Sequence, residues 1–200
     1  MTDDDLLIRA LHDPGDPPVR PLPPEAAELL RKLAAPPRLA AHLRAVHDVA
    51  YQLADWLDGH HPRLRYDRRA VLFGAATHDV GKVVHTAELS GAGGRHEEAG
   101  RQLLLDHGVA PDLARFAATH ASWSQLPTGA GVEDLVVAVA DKVWKNKRVT
   151  DLENLLVARL AGASGRETWE EFMALDDILT RIGEGADARL EFQGAYPVVA

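Results

Sequence analysis

The chain contains no cysteine. Disulfides and thiolate metal sites are therefore excluded. No apolar run approaches the roughly 18 residues a membrane span needs, so no membrane partner is expected. The N-terminus, Met1-Thr2-Asp3-Asp4-Asp5, is acidic, whereas a secretory signal starts basic and continues apolar; cytoplasm is the expected location. Basic residues are in deficit, 22 Lys and Arg against 30 Asp and Glu, for a net charge of −8. A protein that wraps a nucleic-acid polymer carries a basic face to displace counterions, so that role is disfavoured. A small anionic ligand stays open, because a few local lysines can outweigh the global charge. Also missing are a glycine-rich nucleotide fingerprint, a glycine-flanked serine elbow and any recurring strand pattern. A parallel sheet with a phosphate loop does not fit such a chain.

What is present is helical. The 200 residues suit one core. Residues 1–24 hold a short helical candidate, Leu6 to Leu11, followed by Pro14, Pro17, Pro18, Pro21, Pro23 and Pro24, which predict an extended arm. Residues 25–182 read as the main domain, with helices predicted at 25–35, 38–57, 67–79, 95–107, 111–122, 132–147, 149–161 and 167–182. Along the second of these, Leu39, Leu43, Val46, Ala50, Leu53 and Leu57 recur at helical period. Asp67 is a candidate cap, and Ser90-Gly91-Ala92-Gly93-Gly94 a flexible loop. Residues 183–200 form a tail with no readable pattern.

Ten histidines stand out, and their placement carries more than their number. His78-Asp79 ends an apolar helix, where adjacent polar groups are costly to bury without partners; imidazole and carboxylate together suit a divalent cation. A helix-end pair bonded to backbone is the plainer reading. His47 shares the row Leu43, His47, Ala50, Ala54 and so faces the core or its border. Asp141 follows the apolar run Leu135 to Ala140, where a lone carboxylate needs a cation: a metal, or a lysine or arginine. His42, His60, His61, His85 and His107 lack comparable context and read as surface or loop residues.

These segments carry a resemblance. Over roughly residues 38–160 the chain resembles the HD-domain metal-dependent phosphohydrolases. The matching pieces are Leu43-Arg44-Ala45-Val46-His47, Gly74-Ala75-Ala76-Thr77-His78-Asp79-Val80-Gly81-Lys82, and Val139-Ala140-Asp141-Lys142. The resemblance implies an all-α HD-domain bundle, here with a Pro-rich N-terminal arm. It implies metal ligation by His47, His78, Asp79 and Asp141, with Asp79 bridging to a second ion. His96, opening a His-x-x-x-Gly segment, and His120, ending a helix, lie where binuclear members place their extra ligands. Six ligands exceed what one ion needs beside open water positions. Two divalent ions per chain are therefore expected, Fe or Mn first and Co, Ni, Zn or Mg next. Ser124-Gln125-Leu126-Pro127-Thr128-Gly129 stands where the cyclic-dinucleotide branch of the family has Gly-Tyr-Pro, which disfavours that branch. The ligand order resembles the bacterial HD hydrolases of dinucleoside tetraphosphates.

The implied chemistry is cleavage of a phosphate ester or anhydride, in a nucleotide or dinucleotide, by metal-activated water. Asp79 and Lys82 are the candidate catalytic residues, Lys82 by offsetting substrate charge. Lys142, Lys145, Lys147 and Arg148 form a basic cluster that either holds further phosphates or forms a solvated helix face. Two alternatives share the ligand set: an HD-type diiron oxygenase acting on a small phosphorylated or polyol substrate, and a catalytically silent nucleotide-binding module.

Overall fold

The computed structural model describes residues 2–125 and 129–198. Leu126-Pro127-Thr128, the centre of the Ser124–Gly129 segment singled out above, lie outside the described residues. Among the described residues the chain forms ten α-helices and no strand. They are α1 (Asp3–His12), α2 (Pro24–Lys32), α3 (Pro37–His60), α4 (Arg68–Thr77), α5 (Arg95–Asp106), α6 (Pro111–Thr119), α7 (Val132–Val143), α8 (Thr150–Ser164), α9 (Thr168–Glu184) and α10 (Ala186–Gly194). Short 3-10 turns at Val80–Val83, Thr86–Leu89 and Trp123–Gln125 join some of them. No described helix is long and apolar enough to cross a membrane.

The axis of the bundle is α3. Its 24 residues span about 36 Å at 1.5 Å per residue, long enough to belong to two apolar clusters. Val46, Val49, Leu53 and Leu57 pack with α4, α7, α8 and α9. Leu39, Ala40 and Leu43 pack instead with α1, α2, α4 and α6. Every residue from Leu39 to Ala50 is buried, so this half of α3 has no solvent face. Pro111 opens α6 in its first turn, where the missing N–H costs nothing. Asp67 caps α4 by accepting from the Ala70 N–H at 3.0 Å.

The two ends of the chain are more ordered than their sequence suggests. α1 runs three residues further toward the N-terminus than its apolar residues indicate. Thr2 and Asp5 form a reciprocal capping box, and three aspartates favour the positive end of the helix dipole. Leu7, Ala10 and Leu11 are buried against α3. The proline-rich stretch after α1 has carbonyls without helical partners, and such groups must be satisfied when covered. The buried Arg44 guanidinium supplies them, donating to the carbonyls of Ala10 (2.8 Å), Asp13 (2.8 Å), Val19 (2.7 Å) and Arg20 (3.3 Å). The tail forms α10, and Tyr196 is buried, with its carbonyl held by Arg38 Nε at 2.5 Å.

Candidate metal centre

Five helices deliver polar side chains to one buried point. His42 comes from the first half of α3, His78 and Asp79 from the end of α4, and His96 from the first turn of α5. His120 follows α6, and Asp141 sits in the last turn of α7. All six are buried.

The Asp79 carboxylate lies at the centre, and its two oxygens face different partners. Oδ2 is 3.1 Å from His42 Nε2 and 3.6 Å from His78 Nε2. Asp141 Oδ1 closes that side, 3.4 Å from His78 Nε2 and 4.0 Å from His42 Nε2. Oδ1 of Asp79 is 3.0 Å from His96 Nε2 and 3.5 Å from His120 Nε2. Two ligand groups therefore share one carboxylate: His42, His78 and Asp79, with Asp141 beside them, and Asp79, His96 and His120.

Backbone and side-chain contacts aim each ring. His78 Nδ1 donates to the Ala75 carbonyl at 2.9 Å, which leaves a lone pair on Nε2 pointing inward. His120 Nδ1 does the same with the Phe116 and Ala117 carbonyls. His96 Nδ1 lies 2.6 Å from Glu88 Oε2, a carboxylate clamp of the kind that orients histidine ligands. Glu88 also accepts from the backbone N–H of Arg95 and of His96, so it is itself fixed. Gly81 permits the approach of α5. A Cβ at that position would run into the His96 carbonyl oxygen and the Gly100 backbone, so the bare α-carbon is what lets α5 rest on the turn after Asp79.

The inner atoms fit a cation. His42 Nε2, His78 Nε2, His96 Nε2 and Asp79 Oδ1 are buried and make no hydrogen bond. Some are within hydrogen-bonding distance of one another but lack the alignment, because they converge on common points. Separations of 3.0 to 4.0 Å between donor atoms match the edges of a coordination shell with bonds of about 2.1 Å. Burial alone would raise Asp79, but the surrounding histidines, His78 first, hold it well below the carboxylate range. Asp141 is likewise held low against burial by His78 and Lys142. Burial, then His78, pushes His120 down to about 4, so this ring is a neutral donor at neutral pH. Two charged carboxylates among imidazoles make a donor set for a borderline divalent ion.

The expected residues fall in three places. His78, Asp79, His96, His120 and Asp141 meet at the centre. Lys82 Nζ lies 2.5 Å from Asp79 Oδ2, at the rim. His47 is elsewhere: buried, beside Asp48 and near Arg20 and Arg44, and pushed down to about 4 chiefly by burial. Its place is taken by His42, a residue expected at the surface and buried here beside Asp79. Five residues on a helix are about 140° apart, so the two histidines cannot face the same way. His61 also departs from a surface reading, being buried with Nε2 3.2 Å from Glu171 Oε2. His60 and His107 are exposed and His85 half-buried. The basic cluster disperses. Lys142 Nζ reaches Asp141 at 2.5 Å, Arg148 pairs with Glu153 and Asp176, and Lys145 and Lys147 are exposed.

Comparison with known proteins agrees with this arrangement. The HD domain family matches residues 39–144, just over half of the chain, from three residues before His42 to three after Asp141. No curated protein and no solved structure matches the chain. The helical bundle, the His-Asp pair at its centre and this match together establish that the chain belongs to the HD domain family.

Proposed function

We propose that the chain is a metal-dependent hydrolase that cleaves a phosphate ester or anhydride in a nucleotide or dinucleotide. The observation that carries this reading is the Asp79 carboxylate, which turns one oxygen to His42 and His78 and the other to His96 and His120. Divalent cations held by such a set lower the pKa of water and polarise phosphoryl oxygens. The chain's own groups do the rest. Asp79 and Asp141 supply negative charge to hold the cations, and Glu88 keeps the His96 ring turned inward. Lys82 and Lys142 bring ammonium groups to the same two carboxylates, so a phosphate approaching the centre meets positive charge on two sides. Lys82 offsets charge that builds on the substrate in the transition state. The ligand order, now with His42 first, is similar to that of the bacterial HD hydrolases of dinucleoside tetraphosphates, which makes those compounds the first substrates to test.

The test is a phosphate-release screen of nucleotides and dinucleoside polyphosphates with iron, manganese, cobalt and nickel, run with and without air. Hydrolysis is expected to run equally under both conditions, with oxygen-18 entering product phosphate from labelled water. On the active substrate, Lys82→Ala is expected to lose on the order of a hundredfold in rate while keeping its metal. Product labelled from dioxygen would overturn the reading in favour of a diiron oxygenase.

A further inference from the structure

Around α3 from the metal centre lies a cleft of about 260 Å³ with a different chemistry. It opens between the proline-rich segment after α1, α3, the end of α9 and the start of α10. Arg20, Arg181 and Arg189 line it, from three separate elements, together with one carboxylate, Asp48. Asp48 is already engaged. Arg20 Nη1 and backbone N–H reach Oδ1 at 2.9 and 3.3 Å, and Gln52 Nε2 donates to Oδ2 at 2.8 Å. Arg181 and Arg189 make no direct ion pair, and Arg189 feels Asp48 only at longer range, in a chain of net charge −8.

Arg189 is the more informative of the two. It is buried, and a buried guanidinium normally demands a full set of acceptors. Nε donates to the Trp144 carbonyl at 2.7 Å and Nη2 to the Ile182 carbonyl at 2.6 Å, which caps two helix ends. Nη1 has no protein acceptor. It stands at Gly185, another residue lining the cleft, where an added Cβ would come within 2.9 Å of it. Glycine at 185 thus keeps one edge of the guanidinium uncovered. Arg181 is exposed on the last turns of α9, and neither Asp177 nor Glu184 on its own helix pairs with it.

We infer that this cleft binds a small phosphate-bearing anion, held by Arg189 Nη1 and Arg181 with Arg20 at its edge. Guanidinium forks match the paired oxygens of carboxylate and phosphate alike, and several cations around one point favour the more highly charged phosphate. The volume falls below that of drug-sized pockets, which favours a compact ligand over a whole dinucleotide. The site is separate from the metal centre, since Asp48 is about 120° around α3 from His42. It stands whether or not the hydrolase reading does.

Inorganic pyrophosphate is the probe, titrated calorimetrically into the full-length chain and into Asp79→Asn, which disables the metal centre. One binding event is expected to survive in Asp79→Asn. In that background Arg181→Glu should abolish it. Gly185→Ala, which keeps every charge but crowds Nη1, should weaken it about tenfold. Melting curves check that each variant is folded, and Arg181 is exposed enough for its replacement to leave the fold intact. No event in Asp79→Asn, or one that Arg181→Glu leaves unchanged, would overturn the site. Binding weakened by Arg181→Glu yet indifferent to Gly185→Ala would also overturn it, as attraction to diffuse surface charge.

Discussion

His42 and His47 stand five residues apart on one helix, both buried, and do different work. His42 faces two carboxylates and a second histidine, and its ring edges onto Trp144 with centroids 4.9 Å apart. His47 faces the arm, among Arg20, Arg44 and Asp48. Around His42 the neighbours that lower its basicity, burial above all, are opposed by Asp79 and Asp141. Around His47 the nearest charges largely cancel, and burial dominates. Burial alone therefore says nothing about ligation. A metal ligand is marked by buried carboxylates that converge on the ring from other helices, and a core histidine by their absence.

The sharpest way to break this comparison is to count ions. Asp79→Ala should empty both ligand groups, and His42→Ala the one it shares with His78. His47→Ala should leave the metal content untouched. Elemental analysis of protein purified without chelator reads all three, and loss of metal in His47→Ala with none in His42→Ala would reverse the assignment. In the same assay Glu88→Gln should weaken only the His96 and His120 side, by roughly 10- to 100-fold in affinity, as other outer partners of ligating histidines do.

A second test concerns what covers the His47 face. Arg44→Leu would strip four backbone carbonyls of their donor, two of them, those of Ala10 and Val19, in buried residues. A cost of about 3 kcal/mol or more is expected from chemical denaturation, with early proteolysis of the first twenty residues. A wild-type midpoint would mean that the arm holds by apolar packing alone.

The smallest effect is a pH dependence. His47 titrates near the ordinary histidine value of 6.5 when unfolded and at about 4 when folded. The unfolded chain therefore binds the proton first. Stability from this residue is complete above pH 6.5, falls as the pH drops toward 4, and levels off below it. The swing is up to about 3 kcal/mol. His47→Leu should flatten that part of the stability curve relative to wild type; parallel curves would show that His47 is solvated in the folded state.

Much of this centre was legible beforehand for a local reason. His78-Asp79 and Asp141 lie at the ends of strongly apolar helices, where a charged group has few readings. His96 and His120 also sit at helix ends, in segments the family resemblance marks. His42 and His47 sit mid-helix, where only the apolar stripe can tell one face from another. That stripe assumes a wet side, and α3 has none between Leu39 and Ala50. The available signal was length: even the stretch predicted at 38–57 is long for a helix in a chain of this size, and one that long passes through the core, where its apolar period loses meaning. The proline-rich arm hid its packing for a related reason. Its anchor is Arg44, a residue that reads as exposed until its carbonyl acceptors are in view. The tail's α10 is short, and its chief buried contact is also an arginine, Arg189.

The bare meeting of Gly81 with α5 has a thermal consequence. A gap bridged by side chains widens its distribution on heating, because each side chain gains access to further rotamers. A gap between two main chains has no rotamers to gain. Both the 3.0 Å separation of His96 and Asp79 and the 4.0 Å separation of His42 and Asp141 run between side chains of different elements, but only the first pair stands on main chains that meet at a glycine. Warming should therefore loosen the His42 side of the centre first, and the His96 side should keep its shape until α5 itself lifts away.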